Sequence, residues 1–213
     1  MTGIIQYSPE WFAIRLGKVT ASRVADVVAK TKTGWGTSRA NYQAQIIAER
    51  LTGVAQESYT NASMQWGINT EPHARAAYEF GTDTEVVEIG FVEHPKIAMT
   101  GASPDGLVGA DGMLEIKCPN TATHIDTLLG QKVPEKYIIQ MQWQMACAGR
   151  KWCDFVSFDP RMPEAMRLFV ARIDRDDKRI AELEKDVTDF LMETGRKVRE
   201  LLARYPMAKE IAA

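Results

Sequence analysis

Apolar residues recur at helical spacing in the first 80 residues and again after residue 134. Serine or threonine precedes several of these stretches and glycine follows several, as is typical of helix caps and helix ends. Glycines and polar residues between them favour loops at 30–38 and 54–61. The pattern predicts helices over about 8–17, 20–28, 38–51, 62–80, 134–148 and 174–205, with Ser8, Thr20, Ser38 and Asp174 as caps and Gly17, Gly53 and Gly81 as stops.

Alternation of apolar and polar residues replaces helical spacing in the middle of the chain, which favours strands. A glycine-containing turn at 110–112 separates two such stretches and predicts a β-hairpin. Strands are predicted at 84–94, 97–102, 106–109, 113–118, 152–158 and 168–173. With no internal repeat and no obvious linker, this order predicts one α+β domain over residues 1–213, built as a central mixed β-sheet flanked by helices.

The net charge is −2, which excludes a strongly basic nucleic-acid-binding coat. The acidic excess is local, because residues 61–120 carry 3 basic and 9 acidic side chains while the segments on both sides are net basic. Carboxylates around a site favour divalent cations, and basic flanks favour an anionic partner. No run of 18 apolar residues occurs, which excludes a transmembrane helix. Three scattered cysteines, Cys118, Cys147 and Cys153, fit reduced thiols in a cytoplasmic protein.

The predicted hairpin, about 103–118, carries the residues best suited to catalysis. Asp105 lies at the start of one strand, and Glu115 and Lys117 lie on one face of the next. Two carboxylates and the Ile116 carbonyl supply hard oxygen ligands suited to Mg²⁺, or to Mn²⁺ in its place. Such a cation polarises a phosphate oxygen and lowers the pKa of a bound water, and Lys117 would orient that water. The alternative is a surface hairpin with a chance Glu-x-Lys pair.

The chain resembles the bacteriophage lambda exonuclease and YqaJ-type viral recombinase family, within the PD-(D/E)xK nuclease superfamily. Each matching segment is weakly specific alone, but they occur in family order over roughly residues 10–175. The segments that carry the resemblance are Arg15–Ser22, Trp66-Gly67 followed by Glu71, Ser103–Gly106 with Leu114–Pro119, Tyr137–Gln142, and Asp159-Pro160-Arg161-Met162.

The resemblance implies a role for each matching residue. Asp105, Glu115 and the Ile116 carbonyl would bind metal, two ions per site, and Lys117 would be the catalytic lysine. Glu71 would reach the same site directly or through water, and Gln140 would help to position it. Arg15, Ser22 and Ser103 would form a pocket for the 5′-phosphate of the degraded strand. Met64 would wedge between bases at the duplex end. Beyond the resemblance, Lys30, Lys32 and Arg39 flank a glycine loop and would form a DNA-contacting arm.

Each of these roles has a structural alternative. Glu71 would be a solvated helix residue, Gln140 part of a polar helix face, and Met64 a core side chain. Arg15 would pair with Glu10 on the surface. The loop with Lys30, Lys32 and Arg39 would be a soluble connection. One departure stands out: where the family has an arginine in the helix after the Glu-x-Lys strand, this chain has Thr123-His124-Ile125, and Lys132 or Lys136 would replace it.

The leading hypothesis is a Mg²⁺-dependent 5′→3′ exonuclease that degrades one strand of linear double-stranded DNA. The 3′ overhang would serve recombination by strand annealing. The resemblance implies a ring-shaped homotrimer and a phage single-strand annealing protein as partner, in the cytoplasm of a bacterial host and encoded by a phage or prophage. A structure-specific or restriction-type endonuclease is the alternative among enzymes. A non-catalytic DNA-end-binding scaffold is the alternative outside them.

Overall fold

The computed structural model describes residues 4–32, 34–56 and 62–205. The helices are α1 (Pro9–Arg15), α2 (Val24–Val27), α3 (Thr37–Thr52), α4 (Ala62–Thr82), α5 (Thr121–Gly130), α6 (Glu135–Ala148) and α7 (Asp177–Arg204). The strands are β1 (Val19–Thr20), β2 (Lys30–Thr31), β3 (Gly34–Trp35), β4 (Val86–Val87), β5 (Val92–Glu93), β6 (Thr100–Ala102), β7 (Gly106–Val108), β8 (Gly112–Lys117), β9 (Trp152–Phe158) and β10 (Leu168–Asp174).

The largest sheet has five strands in the order β10-β9-β8-β7-β4. Strands β8 and β9 run parallel, with Glu115 opposite Phe155, and the other neighbours are antiparallel. A smaller sheet has the order β1-β6-β5, and β2 and β3 form a separate hairpin. The expected α+β fold, with a mixed sheet flanked by helices, is confirmed. Within the described ranges, no helix is both long and apolar enough to cross a membrane.

Strand β8 places its side chains alternately on two faces of the large sheet. Leu114 and Ile116 pack with Ala74 and Tyr78 of α4 in one apolar cluster. Met113 packs on the opposite face with Met141 and Met145 of α6. The carboxyl end of β8 therefore lies between α4 and α6, and this is where the candidate site forms.

A third apolar cluster joins the helices to the smaller sheet. Trp143 of α6 is fully buried there with Val24 of α2, Ile46 of α3 and Phe190 of α7. Each of these side chains is at most 1% exposed. Complete burial of such large groups stabilises the packing by about 1.5–3 kcal/mol apiece. Helix α6 is thus held from both sides.

Local sequence signals located several elements correctly. Helix α1 begins as predicted, because the Ser8 hydroxyl accepts a hydrogen bond from the Trp11 amide. Helix α3 ends at Gly53, which has a φ of 68°, a left-handed conformation that glycine adopts without strain. The β7–β8 hairpin and the strand at 152–158 are also where the pattern placed them.

Other predicted boundaries were wrong, mostly at helix starts. Ser38 lies inside α3, which is capped by the Gly36 backbone without a side-chain hydrogen bond. Asp174 ends β10, and Asp176 caps α7 instead, accepting from the Arg179 amide. Thr20 makes no capping hydrogen bond, because a short 3₁₀ turn at Ala21–Arg23 precedes α2.

Three further differences concern whole segments. The predicted strand at 84–94 is split into β4 and β5, which belong to different sheets. Helix α4 continues through Gly81 to Thr82, and the 30–38 loop contains the β2–β3 hairpin. Part of the predicted 54–61 loop, residues 57–61, lies outside the described residues.

Candidate active site

Asp105 occupies the position where β7 stops pairing with β8. Gly106 is paired with Leu114, and the Asp105 amide donates to the Leu114 carbonyl at 3.2 Å. One carboxylate oxygen of Asp105, Oδ2, accepts from the Ile116 amide at 2.6 Å. The carbonyl of a strand residue faces the same edge as its amide. Ile116 therefore directs its carbonyl towards the edge of β8 that Asp105 occupies.

Glu115 is held by two amide side chains of α6. Its side chain is 1% exposed. Gln140 Nε2 donates to Glu115 Oε1 at 2.7 Å, and Gln144 Nε2 donates to Glu115 Oε2 at 2.6 Å. Residues four apart lie on one face of a helix, so both amides point at the same carboxylate. Burial costs a carboxylate free energy unless it accepts hydrogen bonds, and these two donors supply them.

Lys117 is the cation of the site. Its Nζ contacts Glu115 Oε1, and its side chain is 28% exposed. Burial disfavours the charged ammonium, but the carboxylates of Glu115 and Asp105 outweigh burial and raise the pKa of Lys117 above its usual value. Lys117 is therefore protonated at neutral pH and can donate hydrogen bonds to an anion.

The carboxylates of the site repel one another. Burial, followed by the charge of Glu115, raises the pKa of Asp105 well above its ordinary value. Burial also raises the pKa of Glu71, against the lowering effects of Arg75 and Lys117. A cluster with this electrostatic balance becomes more stable when a cation enters it.

Glu71 approaches the hairpin from α4. Arg75, one turn further along the helix, donates from Nη2 to Glu71 Oε1 at 2.9 Å. Arg75 also pairs with Glu88, and its own side chain is 13% exposed. Glu71 is therefore a half-buried, oriented carboxylate at the site, and the alternative of a solvated helix residue is excluded.

A cleft of about 1080 Å³ opens over these groups. It lies between α4 and α6, at the end of β8. Among its walls are Glu71, Asp105, Ile116, Lys117 and Gln140, whereas Glu115 lies beneath them. This volume is at the upper limit of ordinary small-molecule pockets.

The donor chemistry fits a hard divalent cation. Asp105, Glu115 and Glu71 offer carboxylate oxygens, and Ile116 offers a carbonyl at the same strand edge. Magnesium binds through one or two carboxylates and keeps several waters, so it needs no cage of protein ligands. Among the residues that the structure describes, no group of three or more His, Cys, Asp or Glu side chains is arranged to hold a metal ion.

Two of the predicted phosphate-binding residues meet at Trp11. The Arg15 guanidinium lies 3.6 Å from the centre of the Trp11 ring, and Trp11 Nε1 donates to Ser103 Oγ at 2.9 Å. Burial lowers the pKa of Arg15 to about 10, so it remains charged at neutral pH. Ser22 lies separately, on the wall of the cleft, with its hydroxyl 3.4 Å from that of Thr20. Residues 4–32, 34–56 and 62–205 provide no ion-pair partner for Arg15, so the predicted alternative of a pair with Glu10 is wrong.

Of the predicted DNA-contacting residues, Met64 lies on the wall of the cleft. Its side chain is 45% exposed, which excludes the alternative of a core residue. Lys30 and Lys32 are exposed on the β2–β3 hairpin, where Lys30 lies over the ring of Trp35.

Arg39 requires a correction. It is only 6% exposed, stacks on Trp35 and Phe190, and donates to the Val27 carbonyl at 2.9 Å. Its guanidinium also pairs with Glu193 of α7. These contacts hold α3 against α7, so Arg39 is a packing residue and is not available to contact DNA.

Three residues at or beneath the cleft were given no role by the sequence prediction. Gln144 could have been recognised from its spacing of four from Gln140. Tyr7 has a φ of 66° and lies against the site, where burial and the charge of Glu71 raise its pKa to about 12. Arg161 also lines the cleft. Of the two suggested replacements for the missing family arginine, Lys136 lines the cleft, as Thr123 does, and Lys132 does not.

Comparison with known proteins places this geometry in context. A family model for the YqaJ-like viral recombinase domain matches residues 10–151, which include the hairpin and Gln140 and Gln144, the two α6 glutamines that hold Glu115. No curated protein sequence matches the chain.

Two solved structures are similar along most of the chain. LHK-Exo, an alkaline exonuclease from Laribacter hongkongensis, is 54% identical, with 92% of this chain and 97% of that chain covered and a TM-score of 0.88. The same enzyme has also been solved in complex with dAMP. A phage-related exonuclease from Haemophilus somnus 129PT is 16% identical, with coverage of 86% and 96% and a TM-score of 0.72, which shows a shared fold.

Proposed function

The chain belongs to the family of YqaJ-like viral recombinase domains, and on this basis we propose that it is a Mg²⁺-dependent 5′→3′ exonuclease that degrades one strand of linear double-stranded DNA and leaves a 3′ overhang. The observation that carries the proposal is the convergence of Asp105, Glu115 and Lys117 at the β7–β8 hairpin, beneath a cleft of about 1080 Å³. The similarity to an alkaline exonuclease that has been solved with dAMP supports the same class of substrate.

In this proposal each polar group of the site has one task. Asp105, Glu115 and the Ile116 carbonyl would hold the ion, with Glu71 reaching it directly or through water. The ion supplies Lewis-acid stabilisation of the phosphodiester. Lys117 would donate a hydrogen bond to the charge that develops on the phosphate or orient the attacking water. Gln140 and Gln144 keep the Glu115 oxygens in place, so that little reorganisation is needed during the reaction.

Direction and strand choice are tested with a linear duplex labelled at one end of one strand. With the label at the 5′ terminus, a 5′→3′ exonuclease releases it as a mononucleotide at the start of digestion. With the label at the 3′ terminus, it remains on shortening fragments. Early release of the 3′ label instead would contradict the proposed direction.

Arg15 is proposed to recognise the terminal 5′-phosphate, together with Ser22 and Ser103. A terminal phosphate carries more charge than a diester, and an arginine offers two parallel hydrogen bonds to it. Because a hydrogen bond to a charged group contributes about 1.5–3 kcal/mol, Arg15→Ala is expected to reduce the preference for 5′-phosphorylated over 5′-hydroxyl ends by about tenfold or more. Initial rates on the two kinds of end measure this preference.

The matched control for Arg15 is Arg179→Ala. Arg179 lies on the exposed surface of α7, where it pairs with Glu135 at 2.6 Å. This variant is expected to keep the wild-type preference. If Arg15→Ala also keeps it, or if the wild type does not distinguish the two ends, the phosphate pocket does not exist.

Met64 is proposed to act as a wedge at the duplex end. An apolar side chain pushed between base pairs helps to unpair them, which otherwise costs a few kcal/mol per step. Met64→Ala is expected to slow digestion of duplex about tenfold while changing the rate on single-stranded DNA much less. Met192→Ala, which truncates a 60%-exposed methionine of α7, is the control. Equal slowing on both substrates would refute the wedge.

A ring-shaped homotrimer and a phage single-strand annealing protein are proposed as partners. A chain with a net charge of −2 is poorly suited to hold DNA alone, whereas a closed ring can turn its basic segments inward. Light scattering is expected to give three times the chain mass of 23.8 kDa. A monomer at micromolar concentration that digests DNA processively would exclude the ring.

A further inference from the structure

The planar guanidinium of Arg161, which lines the cleft, is held in one orientation by hydrogen bonds. Its Nε and Nη2 donate to the two carboxylate oxygens of Asp159 at 2.7 and 2.9 Å. Nη2 also donates to the Pro119 carbonyl at 3.3 Å. Asp159 is fully buried and accepts a further hydrogen bond from Thr121 Oγ1 at 2.7 Å. These three hydrogen bonds of the guanidinium, together with the Thr121 contact that fixes Asp159, leave the guanidinium little freedom to rotate, although 47% of the Arg161 side chain is exposed.

One face of this guanidinium lies over the indole ring of Trp66. The guanidinium carbon of Arg161 is 4.4 Å from the centre of the Trp66 ring. Both residues line the cleft, and Trp66 belongs to α4, which also carries Met64 and Glu71. The guanidinium and the indole of the Arg161–Trp66 pair are both planar groups, and they lie in the same cleft as the carboxylates.

The charge of Arg161 is compensated by Asp159, which argues against a phosphate ligand. Two hydrogen bonds join the Arg161 guanidinium to the buried Asp159 carboxylate, so the two groups together carry almost no net charge. Phosphate binding depends on uncompensated positive charge. A planar guanidinium stacked on an aromatic ring is, by contrast, a good surface for the face of a nucleobase.

We propose that the Arg161–Trp66 pair is a stacking platform for one nucleobase at the end of the DNA. This rests on the proposed function, because it requires a DNA end in the cleft. A base that Met64 separates from its neighbour loses its stacking partner, and the platform replaces it. Asp159 is then a positioning residue, since it holds the Arg161 guanidinium in one orientation without touching the base.

The test compares the affinity for intact DNA ends with that for ends in which one nucleotide is abasic. Removing a base leaves the phosphates unchanged, so it isolates the stacking contribution. The abasic site is placed in turn at each of the first three positions of either strand, and binding is measured in EDTA to prevent cleavage. For the wild type, at least one position is expected to weaken binding roughly tenfold, as a base–aromatic contact does.

The variants complete a double-mutant cycle between the protein and the base. Arg161→Lys keeps a cation beside Asp159 but removes the planar guanidinium, and Trp66→Leu removes the indole ring. In both variants the abasic penalty at that position is expected to fall below about twofold. Arg167→Lys is the matched control, because Arg167 is exposed on the same loop and does not line the cleft; it is expected to keep the full penalty.

Two outcomes would overturn the platform. One is the absence of an abasic penalty at every tested position in the wild type. The other is an abasic penalty that stays the same in Arg161→Lys and Trp66→Leu; if Arg161→Lys then weakens binding to intact and abasic ends equally, Arg161 contacts a phosphate instead. Because binding is measured without metal, failure of the cycle with normal digestion would remove only the platform, whereas absence of digestion with an intact cycle would remove only the proposed activity.

Discussion

Asp105→Asn and Glu115→Gln are each expected to abolish DNA digestion while the protein remains folded and still binds DNA. Each substitution removes one negative charge and one ion ligand from the site. A divalent cation contributes several kcal/mol to stabilisation of the transition state, and every 1.4 kcal/mol is tenfold in rate. The expected loss is therefore about a thousandfold or more.

The surrounding contacts explain why these variants should fold. In Asp105→Asn, the amide oxygen still accepts from the Ile116 amide. In Glu115→Gln, the oxygen of the new amide can face Gln140 and Lys117, and its nitrogen can face Gln144. Gln144 Oε1 has no hydrogen-bond partner among the described residues, so a flip of the Gln144 amide lets this oxygen accept from the new amide. The Gln144 nitrogen then takes the unpartnered position, so Glu115→Gln leaves one unpartnered atom at Gln144, as in the wild type.

The measurement is the initial digestion rate in Mg²⁺, together with the thermal unfolding midpoint and DNA affinity of each variant. Asp111→Asn is the matched control, because Asp111 lies in the turn of the same hairpin, half exposed and paired with Lys151. It is expected to digest DNA at the wild-type rate. Substantial activity in a folded Asp105→Asn variant would show that the hairpin does not hold the catalytic ion.

Lys117→Ala is expected to lower the rate by about a hundredfold to a thousandfold, the cost typical of removing one transition-state donor. The pKa of Lys117 is raised by Glu115 and Asp105 against the effect of burial, so the lost group is a charged donor. Substrate affinity should change much less, since the donor acts on charge that develops during the reaction.

The fold should also survive this substitution. Glu115 loses its contact with Lys117 but keeps the hydrogen bonds from Gln140 and Gln144. Lys151→Ala, which removes a 71%-exposed lysine at the start of β9, serves as the control and is expected to have no effect. A Lys117→Ala variant with near-normal turnover in Mg²⁺ would assign catalysis to another group.

Sequence reasoning located the centre of the site because its determinants are local. Asp105, Glu115 and Lys117 lie within one hairpin, and strand alternation together with a short turn brings such residues together without knowledge of the rest of the fold. The contacts made by α6 depend instead on tertiary packing. Gln140 was found through the family resemblance. The spacing of four places Gln144 on the same helix face, but its contact with Glu115 is visible only in the structure.

The wrong sequence predictions also concern features that depend on tertiary packing. Arg39 was assigned to a DNA-contacting arm because it follows a glycine loop, but α3 packs on α7 and buries it between Trp35 and Phe190. Residues 84–94 were predicted to form one strand, because the alternation of apolar and polar residues does not reveal that β4 and β5 pair with different partner strands. Arg161 is distant in sequence from Trp66, so no spacing could have predicted their stacking.

The most direct test of the account is digestion of one duplex in two forms, linear and covalently closed circular, with Mg²⁺ and with EDTA. An exonuclease that depends on a metal ion held by the hairpin should degrade the linear form in Mg²⁺, leave the circle intact, and leave both forms intact in EDTA. Cleavage of the closed circle would instead identify an endonuclease. Binding to linear ends without degradation in Mg²⁺ would identify a scaffold and contradict the account.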